Sequence, residues 1–154
     1  MTAMTAAPQG DLRGWRRALG YAGLLPFAAC LGVLLVTPEP AWREQASAAM
    51  LHYAALIASF LGAVHWGVTA DGGQARRRTR LVWGVTPAVL AWLLLGLPIG
   101  VALLAFAPLF VLILAVDRHL LPLLDLDYRA LRLRLTVAVT TMLLIAAVLA
   151  GGTA

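Results

Sequence analysis

Long apolar runs separated by short polar breaks make up most of the chain. From the N-terminus they cover residues 18–37, 46–70, 81–97, 99–119 and 131–150. A helix needs roughly 17–25 residues to cross a hydrocarbon core about 30 Å thick, and each run is close to that length. None alternates polar and apolar residues as a barrel strand does. Lipid offers no hydrogen-bond partners to open backbone, so helices are the remaining solution. The pattern therefore predicts an all-α polytopic integral membrane protein, a compact bundle of five transmembrane helices. Short connections make consecutive helices antiparallel neighbours. Residues 18–150 form the single membrane domain, between a basic tail at 1–17 expected to lack structure and a short end at 151–154. The stretch 120–130, LLPLLDLDYRA, alternates leucine with acid and predicts a short piece lying along the membrane interface.

Within the runs, Pro26, Pro87 and Pro108 each remove a backbone hydrogen bond and predict helix kinks. Gly23–Pro26 and Gly84–Pro87 share a GxxP spacing that a parallel internal repeat would produce. The second run has two unlike sides. At about 100° per residue, Ala54, Ala55, Ala58, Ser59, Gly62 and Ala63 gather on one side, and Met50, Tyr53, Ile57, Phe60, Leu61, Val64 and Val68 on the other. Small residues let helix backbones approach, so the small side predicts the bundle-facing surface and the bulky side the lipid-facing one.

Composition places the chain firmly in the membrane class. Of its 154 residues 62% are hydrophobic and 12% charged, with a mean hydropathy of +0.87, against roughly 45–50% and 25% in a soluble domain. The net charge of +5 and pI near 10.7 come from arginine. In a soluble protein they would suggest nucleic acid; between apolar runs they set orientation instead. Arg13, Arg16 and Arg17 precede the first run, Arg76, Arg77, Arg78 and Arg80 lie between the second and third, and Arg118, Arg129, Arg132 and Arg134 surround the last connection. The positive-inside rule then predicts a cytoplasmic N-terminus and a C-terminus outside. Arg76, Arg77, Arg78 and Arg80 also offer contacts to anionic lipid. Trp15, Trp42, Trp83 and Trp92 fall at run boundaries, where interfacial indoles are expected. Cys30 excludes an internal disulfide framework. FAAC before it loosely matches a lipoprotein cleavage site, but the apolar run continues through LGVLLV, so an uncleaved first helix is expected.

Candidate chemistry is sparse. There is no G-x-S-x-G, phosphate loop or HExxH, so no catalytic residue is predicted and the expectation is a non-enzyme. His52 and His65 stand thirteen residues apart, about 20 Å along a helix, and cannot form one site. His52 reads as a hydrogen-bonded interfacial side chain on the small side. His65 lies deeper, and an ionisable group within a span needs a partner. Asp117 follows the apolar LFVLILAV at the same end, with His119, Arg118 and Asp71 near that level. His65, Asp117 and His119 thus form a candidate polar cluster. A satisfied structural pair ranks first for it, then a proton path, then a metal site, then haem between His65 and His119; no cofactor is expected.

Four stretches have a further meaning together: LGYAGLLPF at 19–27, SFLGAVHWG at 59–67, LVWGVTPAVLAW at 81–92 and DYRALRLRLT at 127–136. With the order of the runs, they resemble the family of small bacterial membrane proteins labelled domain of unknown function 3429, which includes the mitochondrial transmembrane protein 69. The resemblance implies a multi-span bacterial inner-membrane protein without an established activity. It places Ser59, Gly62, His65, Trp66 and Gly67 in the family's signature segment, and Pro87 and Arg132 in its later stretches. The expected role is a non-enzymatic accessory, assembly or interaction component of a membrane complex, partnered by the bilayer and by another membrane protein or a second copy, not by nucleic acid. A small carrier with a polar centre at His65 and Asp117 is the alternative.

Overall fold

The computed structural model describes residues 9–69, 77–120 and 126–151, with side chains described for 14–67, 77–120 and 126–151. Among these residues every regular element is a helix: α1 (Gln9–Ala22), α2 (Leu25–Val36), α3 (Pro40–Thr69), α4 (Arg77–Leu94), α5 (Ile99–Leu120) and α6 (Leu126–Gly151).

The first apolar run is two helices rather than one kinked helix. The Leu24 N–H donates to the Tyr21 carbonyl at 2.9 Å, a tight closure that ends α1. Pro26 then sits in the first turn of α2, where its missing N–H costs nothing. The expected kink is therefore a break at Gly23–Leu24. It is pinned to α3: the Tyr53 hydroxyl donates to the Gly23 carbonyl at 3.1 Å, and the rings of Tyr53 and Phe27 meet edge to face at 5.0 Å. Residues 9–17 of the basic tail, expected to lack structure, belong to α1.

The 30-residue α3 packs against α2, α4, α5 and α6. Its buried positions, Ala46, Ser47, Met50, Leu51, Ala54, Ala58, Gly62 and His65, repeat at helical spacing along one face, two residues wide at its first turns. Two expectations about this helix fail. Met50, read as lipid-facing, is fully buried, and Ala63, read as bundle-facing, is exposed. With neighbours on several sides, α3 needs a wide buried face that takes bulky as well as small residues. His52 also projects outward, its Nδ1 2.8 Å from the Ala48 carbonyl of its own helix.

The small residues do create one close crossing. A Cβ added to Gly62 would lie 2.6 Å from the Gly84 carbonyl and 3.2 Å from the Pro87 ring, so α3 and α4 touch backbone to backbone. Pro87 is buried inside α4, and α5 stays helical through the exposed Pro108. The two GxxP elements are thus unlike: one is a helix break, the other half of a helix crossing. Trp83, expected at the interface, packs partly buried against the core, while Trp15, Trp42 and Trp92 are exposed.

Among the described residues, four stretches are long and apolar enough to cross a membrane: Gly14–Val36, Pro40–Gly67, Ile99–Leu120 and Leu126–Gly151. The 18 residues of α4 include Arg77, Arg78 and Arg80, and this helix does not qualify by composition. Its length, about 27 Å at 1.5 Å per residue, still matches the distance it must return. Arg43, Glu44 and Ser47 of α3 share a cavity with Ile99 and Gly100 of α5 at one end, and His65 meets Asp117 at the other. α3 and α5 therefore run parallel, with α4 leading back between them. In the 120–130 stretch, residues 126–130 are the start of α6 rather than a separate interfacial piece, and 121–125 lie outside the described residues.

Candidate functional site

Three helices each bring one ionisable side chain to a common point. α3 supplies His65, α5 supplies Asp117 and α6 supplies Arg132. In the apolar stretches SFLGAVHWG and LFVLILAVD the histidine and the aspartate fall on the buried face, and Arg132 reaches them partly buried from α6. Arg132 Nη2 donates to Asp117 Oδ2 in a direct ion pair. His65 Nε2 lies 3.4 Å from Asp117 Oδ1. His65 is 0% exposed and Asp117 6%, so the imidazole and the carboxylate are shielded from water, while the Arg132 side chain keeps 12% of its surface exposed.

An unpaired carboxylate in such surroundings would be expensive, and the guanidinium removes most of that cost by placing the opposite charge on one oxygen. The imidazole is less well served. Among the described residues neither His65 nitrogen and not Asp117 Oδ1 has a hydrogen-bond partner, because the 3.4 Å approach lacks hydrogen-bond geometry. The arrangement is therefore a neutralised ion pair with an unsatisfied imidazole beside it, a group able to give or take a proton or hold one small polar molecule.

His119 is not part of this cluster. It is two residues beyond Asp117, about 200° around α5, and is exposed. Among the described residues no three His, Cys, Asp or Glu side chains gather to hold a metal, and Arg132 on the Asp117 carboxylate would repel a cation there. Asp71 lies outside the described residues, as does Arg76.

The signature segment divides its labour. Gly62 makes the close crossing. Trp66 is 53% exposed rather than turned into the bundle, yet its ring covers Gly84: a Cβ there would fall 2.2 Å from the indole. Its Nε1–H donates to the Leu81 carbonyl at 3.3 Å. Ser59 Oγ turns back to the Ala55 carbonyl at 2.8 Å, and Gly67 faces open space.

Two arginines matter more than their sequence context suggested. Arg132 was legible as a topological charge and as part of the family stretch DYRALRLRLT; its local sequence, in which Arg134 also stands between leucines, does not mark it for pairing. Arg43, at the opposite end of the bundle, donates to the carbonyls of Thr37 at 3.3 Å and Leu149 at 2.8 Å, and also to that of Leu34. It ties the C-terminal ends of α2 and α6 to the start of α3.

Residues 14–148 match the family described as protein of unknown function (DUF3429), and they contain every residue of the cluster and of the close crossing. The chain belongs to the DUF3429 family. The resemblance read from four stretches of sequence is thus shown. This DUF3429 protein is 33% identical over 123 residues to transmembrane protein 69 of Xenopus tropicalis, covering 77% of this chain and 48% of that protein. The chain spans about half the length of that curated relative. No solved structure matches this DUF3429 protein.

Proposed function

We propose that this protein crosses the bacterial inner membrane five times, with its N-terminus in the cytoplasm and its C-terminus outside, and serves as a non-enzymatic accessory, assembly or interaction component of a larger membrane complex. Two arguments support the topology. Arginine-rich segments recur at alternate connections, as the positive-inside rule requires, and α4 must return between the parallel helices α3 and α5. The observation that carries the role is the closure of the polar cluster: its carboxylate is committed to Arg132 and its imidazole has no exposed surface. Ionisable groups held this way fix the register of three helices rather than line a path. Extraction in mild detergent followed by native mass measurement tests the role. A stable complex with another membrane protein is expected, and migration only as a monomer or self-oligomer contradicts it.

A carrier function remains as a second reading because one observation favours it: the His65 nitrogens and Asp117 Oδ1 are buried without hydrogen-bond partners, a feature of functional sites as well as of strain. In this reading the cluster is a proton or ligand relay. Proton flux into vesicles carrying the wild-type protein and absent from His65→Gln vesicles is the expected result; equal flux in both, or none in either, removes the reading.

A further inference from the structure

At the end of the bundle opposite His65, the first turns of α3 and α5 and the last turns of α2 and α6 enclose a cavity of about 330 Å³. Its floor is Leu34 and Ser47, which are 1% and 2% exposed, and its rim carries the exposed Glu44. Ile99 and Gly100, the first two residues of α5, form one wall, and Arg43 forms another.

Three groups around this cavity are short of partners. The Pro98 carbonyl accepts from the Ala102 N–H at 2.9 Å, which places Pro98 at the capping position of α5. Proline has no side-chain acceptor, so the N–H groups of Ile99 and Gly100 have no cap. There is room beside them: a Cβ added to Gly100 would meet nothing within 4 Å. Ser47 lines the floor, yet its hydroxyl bonds to no described residue, unlike that of Ser59, which turns back on its own helix. Glu44 makes no ion pair with Arg43 or any other described residue.

The two signs of charge are separated across the cavity. Uncapped N–H groups at a helix N-terminus favour an anion. The Arg43 guanidinium is held by neutral carbonyls, so no carboxylate cancels its charge. Ser47 adds a hydroxyl donor at the floor, and the Glu44 carboxylate at the rim favours a cation. A ligand that answers both is a zwitterion, anionic end inward and ammonium outward.

We propose that this cavity binds a zwitterion joining a phosphate to a primary ammonium, the phosphate oxygens on the Ile99 and Gly100 N–H groups and the Ser47 hydroxyl, the ammonium on Glu44. A phosphoethanolamine headgroup has this chemistry. In a bilayer its phosphate lies nearer the hydrocarbon and its ammonium nearer water, as the floor and rim require. The site uses none of the residues of the His65 cluster.

The test is native mass spectrometry of the full chain in detergent, titrated with phosphatidylethanolamine, phosphatidylcholine and phosphatidylglycerol. Phosphatidylethanolamine should be retained over phosphatidylcholine, whose trimethylammonium cannot donate to Glu44, and over phosphatidylglycerol, which has no cation. Glu44→Gln, on the exposed rim, should lower the preference over phosphatidylglycerol by about two- to five-fold. Pro98→Asp supplies the missing cap and a repelling carboxylate, and should weaken retention by about ten-fold with no fall in melting temperature. Glycerophosphoethanolamine, which has the headgroup without acyl chains, separates the sources: binding at the lipid's own affinity assigns the site to a soluble zwitterion, and weaker binding assigns it to the membrane. Equal retention of phosphatidylethanolamine and either other lipid, or a preference unchanged by both variants, would overturn the proposal.

Discussion

Arg132 and Arg43 hold the two ends of one helical bundle, and they are stabilised by different partners. Arg132 meets a carboxylate, and the pair sits beside an imidazole with no exposed surface. Arg43 meets carbonyl oxygens of Leu34, Thr37 and Leu149, which belong to the C-terminal ends of α2 and α6. Helix C-termini carry unsatisfied carbonyls and partial negative charge, so a guanidinium there satisfies the backbone without a carboxylate partner. The difference decides which end can do chemistry. The Arg43 end is a clamp made from backbone. The Arg132 end contains a buried titratable side chain whose hydrogen bonds are incomplete, a group that could respond to a proton or a ligand.

The two ends should break differently. Asp117→Ala leaves Arg132 unpaired in a buried site and should cost about 3–5 kcal/mol, the largest single loss in the bundle; thermal unfolding in detergent checks it, and a melting temperature like that of wild type would place Asp117 outside a paired site. Arg43→Ala removes charged donors from three carbonyls near a partly open cavity and should cost ~1.5–3 kcal/mol. Hydrogen exchange should locate that loss at 34–37 and 143–151 and leave 126–136 protected. Gly62→Ala should cost ~1–3 kcal/mol by forcing a methyl group against the Gly84 carbonyl. It should loosen the His65 end before the Arg43 end, again read by hydrogen exchange. His52→Ala, losing one exposed bond to its own helix, should change stability by less than ~0.5 kcal/mol in the same melting assay.

Much of this fold was legible because membrane helices announce themselves by length and composition. The runs that became α3, α5 and α6 needed only an apolar count. The placement of His65 against Asp117 followed from a simpler fact, that both lie at the same end of their spans. What the sequence hid has physical reasons. The break at Gly23–Leu24 lies in an unbroken apolar run, and Pro26 reads as a kink until the Tyr53 hydroxyl is seen bonding the Gly23 carbonyl. Met50 was assigned to lipid because side-chain size separates packing from lipid faces only for a helix with one neighbour, and α3 has several. Arg132 was counted with the topological arginines because a charge near a span end has two uses, orientation and pairing, and only the neighbouring helix reveals which. Arg43 was missed because its partners are backbone carbonyls, which every residue carries and no pattern marks.

The central claim is that Asp117 and Arg132 act as a unit joining α5 to α6 beside His65. A double-mutant cycle with Asp117→Leu and Arg132→Met, read by thermal unfolding in detergent, tests it most directly. Each single variant strands a buried charge and should be strongly destabilised, whereas the double variant removes both charges and should recover most of the loss. Losses that simply add in the double variant would contradict the claim.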